Sequence, residues 1–180
     1  MKRLTLSVVV LLVASSIPAF AEWRADFGVD VPVNLGAAVT DLAGNTTTAN
    51  VDVLSNFVFL VPEGSLLYQV PVGPANFGFG IRAFTLVLET LVFPNLLAEL
   101  NVGPVALDLN LGGTTFLFFG VYNHLSVTSV FIPDLSAYFK LGKVFRLGLG
   151  GTLFYDAELY NTTKTIPWMI YLAARFSLKF

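Results

Sequence analysis

The sequence predicts an all-β fold, an eight-stranded antiparallel transmembrane up-and-down barrel, and three observations carry that prediction. Residues 168–180 alternate strictly. Trp168, Ile170, Leu172, Ala174, Phe176, Leu178 and Phe180 fall on one face, with Met169, Tyr171, Ala173, Arg175, Ser177 and Lys179 on the other. A period of two over this length is a strand long enough to cross a bilayer, with one face for lipid and one for a wetter interior. The chain is also 55% hydrophobic and only 12% charged, with a mean hydropathy of +0.74. After residue 21 it has no apolar run of about eighteen residues, so no spanning helix is expected. A closed barrel is the other way to satisfy a backbone in lipid. Finally, three tight-turn signals, Gly73-Pro74, Gly103-Pro104 and Gly142-Lys143, each sit between alternating segments.

The N-terminal segment is read apart from the fold. Lys2 and Arg3, the apolar run Leu4 to Val13 and the small-residue stretch ending Ala19-Phe20-Ala21 have the pattern of a secretory signal peptide. Residues 1–21 are therefore expected to be the signal peptide and 22–180 the outer-membrane β-barrel domain. Without Lys2 and Arg3 the chain keeps eight basic against twelve acidic residues, which argues against nucleic acid as a partner. Cysteine is absent, so neither disulfides nor thiolate metal sites are expected.

The elements follow in order. Strand one, 23–37, places Trp23, Ala25, Phe27, Val29, Val31, Val33 and Leu35 on one face and Arg24, Asp26, Asp30 and Asn34 on the other, so a one-residue slip would put charges into lipid. Strands two and three, 57–72 and 75–88, flank Gly73-Pro74. Strands four and five, 91–102 and 105–120, flank Gly103-Pro104 at a spacing of thirty residues, with Val70, Phe77 and Phe79 matching Leu100, Leu107 and Leu109 in kind. Strands six and seven, 129–141 and 144–157, flank Gly142-Lys143, and strand eight is 167–180. The long connections are then 38–56, 89–91, 121–128 and 158–166, the last with a polar tip at Asn161-Thr162-Thr163. Trp23, Tyr68, Phe77, Phe139, Phe145 and Phe180 lie toward the turn end, and Phe57, Phe119, Phe131, Tyr155 and Trp168 toward the loop end, as two interfacial belts.

Eight strands leave an interior just wide enough for side chains or one slender ligand. The assigned phases point Arg24, Asp26, Asp30, Asn34, Arg82, Glu99, Asp108, Asn110, Asp134, Lys140, Arg146, Arg175 and Lys179 inward. Interleaved charges of both signs predict an ionic network that closes the lower lumen, with Arg175 and Lys179 facing Asp26 and Asp30 across the closing seam. Toward the loop end the inward phase turns apolar at Phe84, Leu86, Leu88, Leu91, Phe93, Leu97, Phe116, Phe118, Ile132 and Phe154. Either bulges flip the phase there, or the upper lumen is apolar, packed solid or open as a slot for a small hydrophobic ligand. Gly148-Leu149-Gly150-Gly151 lies on a strand with no helix behind it, so it is no phosphate cradle; its glycines are expected to ease bending and crowding in the lumen.

The alternating terminal strand ending on Phe180 resembles that of the small eight-stranded bacterial outer-membrane barrels, the OmpA/OmpX/OmpW-like class. That resemblance implies residence in the outer membrane, contact with membrane lipids, and recognition of the last strand by the barrel-assembly machinery. The apolar upper phase resembles the OmpW-like group, which implies passive, non-enzymatic passage of small hydrophobic compounds. No cofactor is implied. Two alternatives stand beside it. One is a surface-exposed structural or adhesin barrel acting through its loops, of which 38–56 is the longest. The other rests on His124-Leu125-Ser126, whose spacing is similar to the lipid A 3-O-deacylase family, although no glutamate stands where that family orients its histidine.

Overall fold

The computed structural model describes residues 21–41, 43–56, 58–86, 89–113, 116–120, 126–128 and 130–180. The expected signal peptide lies outside these apart from Ala21, as do Phe57, Leu88 and His124. Eight strands close a ring: β1 (Glu22–Thr40), β3 (Val61–Val72), β4 (Ala75–Leu86), β5 (Glu89–Val102), β6 (Val105–Gly113), β9 (Val130–Leu141), β10 (Phe145–Leu153) and β12 (Thr165–Lys179). Each pairs antiparallel with the next, and β12 returns to β1 from Arg24↔Lys179 to Val39↔Thr165. The predicted eight-stranded up-and-down barrel is therefore the observed fold.

Glycine sets the tight turns. Gly73 and Gly103 have φ of +60° and +59° and are followed by proline. A positive φ and then proline's fixed negative φ is the pattern of a two-residue hairpin turn whose twist matches that of the strands. The third turn is one residue longer, with Gly142 at φ +85° and pairing resumed at Leu141↔Phe145.

The loop end differs from expectation in three places. Segment 38–56 is largely a hairpin: β1 runs on to Thr40, and β2 (Thr46–Asp52) pairs back on it from Thr40↔Thr46 to Asn34↔Asp52 before a short helix α1 (Val53–Asn56). Threonine and valine, at home in strands, outweigh the loop composition of its tip. Predicted strand five is split into β6 and β7 (Phe116–Gly120). β7 and β8 (Ser126–Thr128) prolong the β6–β9 hairpin, while β7 rejoins β5 with a shift of two residues. Gly113, at φ +95°, and Pro94, which has no N–H to donate, stand at this shift. Segment 158–166 holds a helix, α2 (Ala157–Thr163), after the two-residue strand β11 (Tyr155–Asp156). Its N-cap is Asp156, whose Oδ1 accepts from the amides of Glu158 at 2.8 Å and Leu159 at 2.9 Å.

The outer wall is apolar. Phe27, Leu66, Phe77, Phe79, Ile81, Leu96, Leu109, Leu135, Phe139, Leu149, Leu172 and Phe176 are all exposed, one or more on every ring strand. Rings meet edge-on at the turn end, where Trp23 and Tyr68 lie 5.3 Å apart between centroids and Tyr68 and Phe79 5.6 Å. Such a wall suits hydrocarbon rather than water.

The tip between β1 and β2 carries a titration test. Asp41 Oδ1 accepts from the amides of Asn45 at 2.8 Å and Ala43 at 2.9 Å, and Oδ2 from the Asn45 side chain at 3.0 Å. These hydrogen bonds, the Asn45 side chain's first, hold the exposed Asp41 carboxyl below its ordinary pKa. A depressed folded value means the turn's support is complete above the ordinary carboxylate range and is lost as pH falls through the lowered value. The Ala43 and Asn45 amide resonances are expected to shift together with that midpoint, and Asn45→Ala to move it up.

Candidate functional site: the barrel lumen

The inward phase builds the lumen in layers. At the turn-end rim Lys179 Nζ meets Glu22 Oε1 at 2.5 Å, and Gln69 donates to the same oxygen at 2.5 Å. Lys140 donates to Asn101 Oδ1. Lys179 thus differs from its expected place: it is exposed at the rim and pairs with Glu22, four residues before the nearer of the predicted acids, Asp26. Alternation predicts a face, not a depth along the barrel, so it could not separate rim from interior.

The first buried layer centres on Glu99 from β5. Its Oε2 accepts from Arg24 Nη1 and Arg146 Nη1, both at 2.6 Å, and its Oε1 from Asn76 at 2.7 Å and Asn101 at 2.9 Å. Arg24 also reaches Asp26 at 2.8 Å and Asp108 at 3.8 Å. The second layer centres on Glu63 from β3, which takes Arg82 at 2.7 Å together with Arg175. Arg82 adds Asp134 at 3.4 Å and Arg175 adds Asp30 at 3.9 Å. Tyr171 donates to Asp134 at 2.5 Å, Asn110 donates to it at 3.2 Å, and the Arg175 guanidinium lies 4.8 Å over the Tyr138 ring. Across both buried layers six carboxylates face four guanidiniums, so these two layers carry an excess of two formal negative charges.

Sequence reasoning missed Glu22 and Glu63. Glu63 stands in Val61-Pro62-Glu63-Gly64-Ser65, which reads as turn chemistry, yet it pairs with Gly28 and Phe84 in mid-wall. Its odd-numbered phase, shared with Leu67 and Gln69, was the signal that could have found it. Asn34 also departs from its assigned phase. A bulge between Pro32 and Asn34 changes the β1–β12 register, so Asn34 pairs with outward Ile170 and Leu35 with buried Met169. Gly148 and Gly150 make room for the tyrosines: a Cβ on Gly148 would stand 2.6 Å from the Tyr138 ring, and on Gly150 2.5 Å from the Tyr171 hydroxyl.

Above the charges the chemistry changes. Val61, Phe84, Leu91, Phe93 and Ile132 form one buried cluster, with Phe59, Val130 and Phe154 packed against it. Phe84 lies edge-on to Phe93 at 5.5 Å and to Phe154 at 6.0 Å. The β3–β4 and β4–β5 ladders run through this level without a register shift. On these strands the upper apolar phase is therefore a real change of lumen chemistry, not a flip. The register pairs Phe118 with Leu91; the side chains of Leu86, Phe116 and Phe118 lie outside the described residues. Among the described residues no group of three or more His, Asp or Glu side chains is arranged to hold a metal ion.

No protein-family profile matches this chain, and no curated protein matches it in sequence. Solved structures do. The N-terminal β-barrel domain of Pseudomonas aeruginosa OprF is similar at a TM-score of 0.50 and 9% identity, over 88% of this chain and 98% of that one. Neisserial surface protein A is similar at a TM-score of 0.45 and 10% identity, over 87% and 97%. At such identities the likeness is one of fold: this chain folds as a small eight-stranded outer-membrane barrel.

Proposed function

We propose that the protein is a non-enzymatic bacterial outer-membrane barrel, closed below by its ion pairs, whose apolar upper layer is the floor of a slot for small hydrophobic ligands. The role is passive and OmpW-like, and the reading assigns the barrel no catalysis. The observation that carries it is the switch along one unbroken inward phase, from Arg82 and Glu63 to Phe84, Phe93 and Ile132. A lumen that served only to seal the wall could carry its polar network to the top; an apolar floor favours an apolar guest. The exposed apolar wall supports the membrane setting. The alternating face that runs along β12 from Trp168 and ends on Phe180, one residue past the strand, supports recognition by the barrel-assembly machinery during insertion.

Two measurements test this. Planar-bilayer recordings should show no large stable conductance, because charged side chains from all eight ring strands cross the lumen; nanosiemens steps would refute a closed barrel. Indole titrated into the micelle-bound barrel should produce saturable shifts at Ile132 and Phe154 while Arg146 stays still. Shifts that grow linearly at every outward residue would mean that indole only partitions into the micelle, and the slot would be refuted.

A further inference from the structure

Strand β10 carries three glycines, and they are not equivalent. Gly148 and Gly150 face inward under tyrosines, where a Cβ would collide. Gly151 belongs to the outward phase with Leu149 and Leu153, and a Cβ there would meet nothing nearer than the Met169 carbonyl oxygen at 3.7 Å. Barrel packing therefore does not demand a glycine at 151. Its effect is on the outer wall, where it forms the floor of a groove of about 620 Å³ walled by Leu135, Leu149, Leu153, Trp168 and Ile170.

The groove offers a partner only apolar surface. Ser136 and Thr152 border it from the inward phase, but their hydroxyls are engaged, with Asp134 at 3.5 Å and the Pro133 carbonyl at 3.2 Å. It is continuous with the exposed apolar wall and lies toward the loop end, where Leu153 pairs with Trp168. Within a bilayer, association gains little from the hydrophobic effect and depends on close van der Waals packing. A notch between leucines is filled best by a slender, flexible hydrocarbon. We propose that the groove over Gly151 seats one acyl chain of a membrane lipid, held from the leaflet at the loop end. This inference rests on the membrane-spanning reading above.

The test uses the full barrel in mild detergent with dipalmitoyl phosphatidylethanolamine as the probe, read by native mass spectrometry. The parent protein should retain one lipid. Gly151→Leu fills the groove and should lower the lipid association constant about tenfold, the loss expected for roughly ten close atom pairs. Ala83→Leu, on the outward phase of β4 across the ring, should leave it unchanged. Equal lipid occupancy in the parent and Gly151→Leu overturns the seat, and so does a dimer mass in place of the lipid adduct, which would give the groove to a second copy. Insertion into phosphatidylethanolamine-containing vesicles is scored separately. A chain that inserts yet ignores Gly151→Leu loses only the seat, whereas a chain that fails to insert loses the membrane reading itself.

Discussion

Glu99→Ala is expected to cost about 3–5 kcal/mol of barrel stability, the range for removing one partner of a buried ion pair. The side chain is 1% exposed and receives four donors: Arg24 and Arg146 on one oxygen, Asn76 and Asn101 on the other. Deleting it leaves two guanidiniums converging on an empty position. Asp26 and Asp108 still neutralise Arg24 in part, but among the described residues Glu99 is the carboxylate within salt-bridge distance of Arg146. Arg146 therefore bears most of the loss. Urea midpoints of the vesicle-inserted barrel measure the effect. Glu99→Gln should fall between, since it keeps the shape and loses the charge. A change below about 1 kcal/mol for Glu99→Ala would mean that water already carries these guanidiniums, and the sealed-lumen reading would fail with it.

Phe93→Ala should be comparably damaging, by about 3–5 kcal/mol, through the cavity it opens in the upper layer. The ring is 1% exposed, stands edge-on to Phe84 at 5.5 Å, and covers Gly112, where a Cβ would lie 2.3 Å from it. The neighbours are held by two hydrogen-bonded strands and collapse little into the gap. The same substitution separates structure from ligand binding. If the apolar layer floors a ligand slot, the truncated barrel should bind a bulkier apolar probe than the parent does. If the layer is packing alone, stability falls and no new affinity appears. Thermal or urea unfolding beside a naphthalene titration reads both.

Much of this molecule was legible in the chain because barrel strands state their two faces separately. Strict alternation in Trp168 to Phe180 and Trp23 to Val31 assigned faces correctly wherever the register ran without a bulge. Gly-Pro between two such runs located the hairpins, since few other dipeptides supply a positive φ followed by a fixed negative one. Where alternation breaks, the reading broke too. The bulge beside Val33 turned Leu35 inward and Asn34 out of phase, the shift near Gly113 split a strand, and Asp156 capped a helix within a polar loop.

The sequence by itself determined the barrel, its strand number and, Glu22 and Glu63 apart, which charges face the lumen, because face and turn are local properties with a period of two. Only the tertiary structure decided the partners and the depth at which each residue sits. Glu63 joins the expected Asp30 in receiving Arg175, Lys179 stays at the rim with Glu22, and Glu99 joins two arginines from strands far apart in the chain. Those choices follow from strand stagger around the closed ring, a property of all eight registers together that no single segment encodes.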